Sequence, residues 1–298
     1  MRLIEVQSPG LFTTVQDLGR DGFGPIGVSP SGAADPTALR LGNRLVGNAE
    51  GAAALEMTLL GGTFVFPQGG MIALAGGDFE TSIPLWTARD LPPAQTLRIG
   101  PARSGARCYL CVRGGIAVPL VMGSASTHVM SGLGGLEGRP LRKGDVLRVG
   151  PQPLTPSKGT ISPGVLQQLA PRKVLRTTDG PQHHWFSANE FYRTVYRVSE
   201  DSNRVGIRLQ GPAMTLPNSG HMITEGVTLG AIQVPQNGQP VILFVEQQTT
   251  GGYPKIANVI SADIPSLGQL RPGDEIRFER IEIAEARRLL RRQEALFQ

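Results

Sequence analysis

Apolar runs in this sequence are short, and glycine or proline interrupts them at close intervals. The chain carries 39 glycines and 24 prolines in 298 residues, above ordinary usage but below the low-complexity range. Long helical patterns are nearly absent, so the chain reads as turn-rich, mainly β structure. At this length it can bury a sizeable core and is expected to form two domains. The break is expected at 150–164, GPQPLTPSKGTISPG, which holds four prolines and no apolar pattern. This gives a first β-barrel domain at 1–155 and a second at 165–298, with strands able to exchange between them. A faint echo supports duplication: LRKGDVLRV (141–149) resembles LRPGDEIRF (270–278), and GGIAVP (114–119) resembles GAIQVP (230–235).

The segment 239–263, QPVILFVEQQTTGGYPKIANVISAD, is the most informative for chemistry. Val241 to Val245 reads as a buried strand, followed abruptly by Glu246, Gln247, Gln248, Thr249 and Thr250. On a continuing strand Ile242, Phe244, Glu246 and Gln248 share one face, which aims a carboxylate and an amide from a rigid mount. Gly251 and Gly252 remove side-chain bulk where a ligand or another backbone can come close. Tyr253 can stack and donate a hydrogen bond, and Lys255 adds a point cation suited to carboxylate or phosphate. A hairpin with a polar turn is the plainer reading of the same residues.

A second polar cluster, SEDSNRVGIRL (199–209), offers the donor and acceptor of Asn203 and the guanidinium forks of Arg204 and Arg208. A polar hairpin with surface arginines fits it equally. Glu225, in ITEGVTLGAI, stands among apolar neighbours, where desolvation is expected to raise its pKa and favour a general base. An ion pair with arginine is the alternative. The long segment 11–36 reads as a polar, glycine-rich loop that ends where Asp35-Pro36 opens a helix. Ser187 to Glu190 reads as a capping box.

Several chemistries find no support. The piece closest to a phosphate loop, Pro156-Ser157-Lys158-Gly159, lacks the leading glycine, and no Gly-x-Gly-x-x-Gly opens a helix. Neither GVSPS nor GSAS is a nucleophile elbow. His128, His183, His184 and His221 lack metal-ligand spacing, so no metal site is expected. Cys108 and Cys111 lie three apart on a strand and point to opposite faces, as packing residues of a reducing compartment. The net charge is +5, but the densest cluster, Arg287, Arg288, Arg291 and Arg292, reads as a solvated helix face. Without aromatic interleaving it does not suggest nucleic acid. No apolar run approaches the ~18 residues that span a bilayer, and the first residues enter a strand without a leader. The expected location is the cytoplasm, with no membrane partner.

Six segments together resemble a known family: FTTVQDLGRDGFGPIGVSPSGAAD, LGNRLVGN with ALEMTLLGG, GSAST, SNRVGIRLQGP, TEGVTLGAIQVP and QTTGGYPKIANVISAD. They are similar to the biotin-dependent carboxyltransferase, or allophanate-hydrolase-subunit-2, family. That family includes the C component of the ATP-dependent 5-oxoprolinase, the KipA-type antagonists of a kinase inhibitor, and half of the carboxyltransferase domain of urea carboxylase. The resemblance implies two cyclophilin-like β-barrels. It also implies a subunit-B-like partner of related fold and a subunit-A-like lactam hydrolase. The leading expectation is a subunit, inactive alone, of an enzyme that opens 5-oxo-L-proline to L-glutamate, with ATP and Mg2+ used by the complex. KipA-like regulation, and carboxyl transfer to urea or a related amide from carboxybiotin, are the alternatives. No biotin-attachment Met-Lys-Met is present, so biotin is not expected on this chain. The resemblance places Asn203 at the reacting groups. Asn203, Glu225, Glu246 and Lys255 are the candidate catalytic residues. Arg204, Arg208, Gln248, Thr249, Thr250, Gly251, Gly252 and Tyr253 are the candidate substrate contacts. The family commonly has Asp where this chain has Glu246, which departs from its geometry.

Overall fold

The computed structural model describes residues 2–157, 159–216 and 222–297; Lys158 and His221 lie outside them. The chain is mainly β and divides into two compact units, residues 1–20 with 31–168, and 21–30 with 169–298.

The first unit is a nearly closed, barrel-like antiparallel sheet. Its strands are β1 (Arg2–Ser8), β2 (Phe12–Gln16), β3 (Ala54–Thr58), β4 (Thr63–Phe66), β5 (Gly70–Thr81), β6 (Arg89–Leu91), β7 (Gln95–Val112), β8 (Ile116–Ala117) and β9 (Val146–Val149). The path runs β2-β3-β7-β4-β1-β9-β8, with β5 joining β7 and β6 joining β5. Alternation along the strands sends Ile4, Val6, Phe64, Phe66, Leu97 and Leu147 into one core. The other face of β5 and β7 packs on helix α1 (Pro36–Leu45) through Leu39, Leu45, Ala73, Ala75 and Tyr109. Asp35 caps α1 by accepting from the Ala38 N–H at 2.9 Å. Cys108 falls in the first cluster and Cys111 in the second, as their spacing requires, and both are free thiols. Burial raises both thiol pKa values, so neither is a ready nucleophile.

Two sequence expectations are corrected here. Phe12–Gln16 is a strand rather than the start of a loop, because Thr13, Thr14 and Val15 fit the β3 ladder from Phe12↔Thr58 to Gln16↔Ala54. The proline-rich 150–164 segment is no free tether. Arg113 donates to the Pro153 and Thr155 carbonyls at 2.8 and 2.7 Å, and the Ser157 hydroxyl donates to Leu45 O at 2.6 Å. The segment leads into α2 (Pro163–Gln168).

The second unit is a closed barrel. Its elements are β10 (Val174–Asp179), α3 (Ala188–Arg193), β11 (Tyr196–Val198), β12 (Gly206–Gln210), β13 (Glu225–Gly226), β14 (Ala231–Gln233), β15 (Val241–Leu243), β16 (Thr250–Gly251), β17 (Lys255–Val259), α4 (Ile264–Gly268), β18 (Glu275–Arg280) and α5 (Ile283–Ala295). The circuit is β10-β17-β14-β15-β12-β11-β18, while β13 and β16 form a separate two-stranded ribbon. Phe191 of α3 stacks on Phe278 with ring centroids 4.7 Å apart. Ser187 heads that helix without a side-chain cap bond, so the expected capping box does not form. Asp263 is fully buried and accepts from both the backbone and the guanidinium of Arg176, which anchors α4 to β10.

The echo between units holds for the turn and not beyond it. Asp145 Oδ2 accepts from Arg142 N at 2.7 Å, and Asp274 Oδ2 from Arg271 N at 2.7 Å. Gly144 and Gly273 supply the positive φ, +91° and +85°, at the same place. Each turn then binds one valine of an antiparallel neighbour, Val6 or Val198, at both N–H and C=O. The second echo fails, because β8 pairs with β9 whereas β14 pairs with β15 and β17.

The loop after β2 is held by Asp17. Its carboxylate accepts from Ser124 Oγ, Ala125 N, Ser126 Oγ and Gly19 N at 2.5–2.8 Å. The GSAST motif is thus bound to the loop by one buried side chain. Asp17→Ala strands these donors and is expected to cost about 3 kcal/mol, read as a lowered urea midpoint; Asp17→Asn, which keeps an acceptor, loses less.

Candidate functional site

The sequence expectation that β15 continues to Glu246 is corrected. The strand ends at Leu243, Phe244 N donates to Val205 O at 3.0 Å, and Gln247 N turns back onto Phe244 O at 2.9 Å. Glu246 therefore leaves the β15 face. It is buried and bonded to Arg204 Nε, while its N–H donates to Arg204 O at 2.8 Å. This is a closed pair, with a side chain and a backbone both committed. Asn203 is exposed, and its Oδ1 accepts from Val205 and Gly206 N–H at 2.9 and 3.2 Å, an Asx turn that shapes the start of β12. The Arg208 side chain is exposed on β12.

Lys255 opens β17 on the far side of β14. It aligns with Gln233, whereas Gly230 N donates to Leu243 O at the other end of β14. Those three residues along β14 are a rise of roughly 10 Å, with Glu246 beyond. The structure thus separates the Glu246–Arg204 pair from Lys255, and it gathers a different set around the lysine. Lys255 Nζ pairs with the Glu225 carboxylate, and Lys255 N donates to Gln182 Oε1 at 3.0 Å. Gln182 Nε2 reaches toward Glu225 Oε1 at 3.5 Å. Gln248 Nε2 donates to Gln233 Oε1 at 3.1 Å. Gln233 Nε2 is buried with no hydrogen-bond partner among the described residues.

A Cβ at Gly251 would lie 2.6 Å from Gln233 Nε2, so the end of the Gln233 side chain packs against the Gly251 backbone and would have to shift for a larger residue. The β13–β16 ribbon aligns Glu225 with Gly251 and Gly226 with Thr250, and Val227 N donates to Thr249 O at 3.1 Å. Gly252 O accepts from Met222 N at 3.4 Å, and Tyr253 stands 40% exposed. Thr249, Thr250, Gly251 and Gly252 thus serve the ribbon through their backbones.

The electrostatics of Glu225 also differ from expectation. Its side chain is 44% exposed while that of Lys255 is 6% exposed. The hydrogen bond and charge of Lys255 hold the Glu225 carboxyl below the usual carboxylate range, with the Gln182 amide assisting. A raised pKa needed an apolar enclosure, and the two-residue ribbon leaves this carboxylate in water. Among the described residues no group of three His, Cys, Asp or Glu could hold a metal ion. Sequence reading missed Gln182 and Gln233. The signal for Gln233 was a polar residue inside the apolar strand of GAIQVP.

Residues 26–280 match the family model of the carboxyltransferase domain, subdomain A and B. The chain belongs to that family. It is 40% identical to the C component of 5-oxoprolinase from Escherichia coli (strain K12) over 99% of this chain and 97% of the relative. It is 36% identical to the urea amidolyase of Lachancea kluyveri, covering 98% of this chain but 18% of that protein. Among solved structures, the Kluyveromyces lactis urea carboxylase superposes with a TM-score of 0.93 at 33% identity, over 99% of this chain and 29% of the larger one. Among the described residues no helix is long and apolar enough to cross a membrane.

The depressed Glu225 carboxyl sets a sign for pH dependence. Its contribution to stability is present above the unfolded-state pKa, about 4.3, and is lost as pH falls through the lower folded value. Wild type and Glu225→Gln are expected to differ in melting temperature at pH 7 and to converge in acid below that range. Curves that stay parallel to the lowest pH would show that the pair contributes nothing.

Proposed function

We propose that this chain is the C-type component of an ATP-dependent 5-oxoprolinase, which opens 5-oxo-L-proline to L-glutamate together with partner chains. The observation that carries this reading is the 40% identity to the Escherichia coli protein across nearly the whole of both chains. The lactam amide is resonance-stabilised, and its carbonyl oxygen gains charge as the ring opens. Cations and amide donors around that oxygen stabilise the developing charge. The barrel end of the second unit offers the Gln233 and Gln182 amides as donors, with Lys255 Nζ as the cation for the substrate's carboxylate. Glu225, which pairs with Lys255, is the carboxylate available there to exchange a proton with water. The sequence carries no glycine-rich phosphate loop, so the nucleotide step, with its Mg2+, is assigned to a subunit-A-like hydrolase. A subunit-B-like chain of related fold completes the complex, and the assembly works in the cytoplasm without biotin on this chain.

The likeness to urea carboxylase favours a second reading, carboxyl transfer to a small amide. The two share an amide substrate and differ in the co-reactant. The deciding assay reconstitutes this chain with its partners and follows 5-oxoproline-dependent ATP hydrolysis. Lys255→Met keeps the aliphatic stem and is expected to lower that rate by roughly 10- to 100-fold, the scale of losing one hydrogen bond to a charged substrate group. An unchanged rate, or equal rates with and without this chain, refutes the reading.

A further inference from the structure

The ion pair at the barrel end is unequal in a way that points to a ligand. Lys255 is rooted in a barrel strand with its side chain buried, whereas Glu225 reaches it from the β13–β16 ribbon with its side chain half in water. A two-residue ribbon has little stability of its own, so the carboxylate can leave the lysine without disturbing the barrel ladder. Beside the pair, Gln233 Nε2 is a buried donor with no partner among the described residues. Such an orphan costs roughly 1–3 kcal/mol in a folded protein, a cost that an incoming acceptor removes. Gln233 and Lys255 are directly aligned on adjacent strands, with a register shift between Ile232 and Gln233 that re-aims the amide. The amide end packs against Gly251, where a larger residue would push it aside.

We propose that Glu225 occupies the place of a ligand's carboxylate, and that the site takes a small molecule bearing one carboxylate and one nearby carbonyl oxygen. Lys255 Nζ receives the carboxylate and Gln233 Nε2 donates to the carbonyl. Glu225 is then a displaceable internal competitor, which keeps the buried ammonium paired while the site is empty. The inference deepens the reading above, on which it rests only for calling this ligand the substrate; the ligand class follows from the two donors.

The test is calorimetric titration of the isolated chain with three probes: 5-oxo-L-proline, 2-pyrrolidinone without the carboxylate, and cyclopentanecarboxylate without the carbonyl. Only the first is expected to bind well, each simpler compound binding at least tenfold more weakly. Glu225→Gln removes the competitor and is expected to tighten 5-oxoproline binding about tenfold, by raising the fraction of chains with a vacant lysine. Gln233→Leu is expected to abolish binding with little change in melting temperature, because removing the orphan donor offsets the lost acceptor that Gln233 Oε1 gives Gln248 Nε2. That combination separates a ligand-binding donor from a structural one. The proposal is overturned if neither wild type nor Glu225→Gln binds 5-oxoproline at millimolar concentration, or if 2-pyrrolidinone binds equally well. It is also overturned if Glu225→Gln weakens binding, or if Gln233→Leu lowers stability and leaves affinity intact. Binding by the expected rules with no 5-oxoproline-dependent ATP hydrolysis in the reconstituted complex would sink the assigned function and leave the ligand class standing.

Discussion

Two strands that flank β14 run in the same direction, and the candidate site depends on that constraint. Both β15 and β17 are antiparallel to β14, so the chain between them must return along the barrel before β17 can begin. A tight hairpin cannot make this connection, since parallel neighbours need a crossover. Residues 244–254 make the return as an irregular path that first closes the Arg204–Glu246 pair and then lays Gln248 against Gln233. It pairs with β13 before entering β17 at Lys255. The polar run that stands out in the sequence is the material of this return, and its two glycines stand where the path crosses other groups.

That constraint explains which parts of the site were legible from residues alone. The apolar run at 241–245 and the lysine are local features: the run is buried beyond Val241, though its strand ends at Leu243, and Lys255 opens the next barrel strand. The grouping of Glu246 with Lys255 assumed one continuous strand with period two, and a single turn at Phe244 breaks that period. Gln182 comes to Lys255 from over seventy positions away, through a closed barrel whose register no local pattern encodes. Helix α1 was legible because its cap is local, Asp35 with Pro36. The strand Phe12–Gln16 was obscured by the glycine-rich residues that follow it.

Buried polar residues in and around the family motifs serve two different ends. Asp17, Glu246 and Asp263 are buried and bonded to donors from elsewhere in their own unit. Each joins segments that backbone ladders leave apart, and removing one would leave several donors or a buried cation uncompensated. Tyr109 works in the same way: its hydroxyl donates to Glu56 at 2.6 Å and accepts from Asp35 N at 2.8 Å, which fixes the start of α1. Burial and polarity therefore mark these residues without distinguishing architecture from chemistry. Saturation distinguishes them, because a carboxylate whose lone pairs are all taken by its own chain has nothing left for a substrate.

The Glu-for-Asp difference at Glu246 bears on its pair with Arg204. The side chain ends on Arg204 Nε, and the Arg204 carbonyl accepts from the Glu246 N–H, at the opposite end of β14 from Lys255. The unsatisfied amide of Gln233 is the contrasting case. A fold selected only for stability would place an apolar residue there, between Ile232 and Val234 in a buried strand, at no cost to the ladder. The glutamine has its Oε1 engaged by Gln248 and its Nε2 without a partner among the described residues, an arrangement that costs on the order of 1 kcal/mol. A buried donor left over in this way fits something that visits the site better than packing alone.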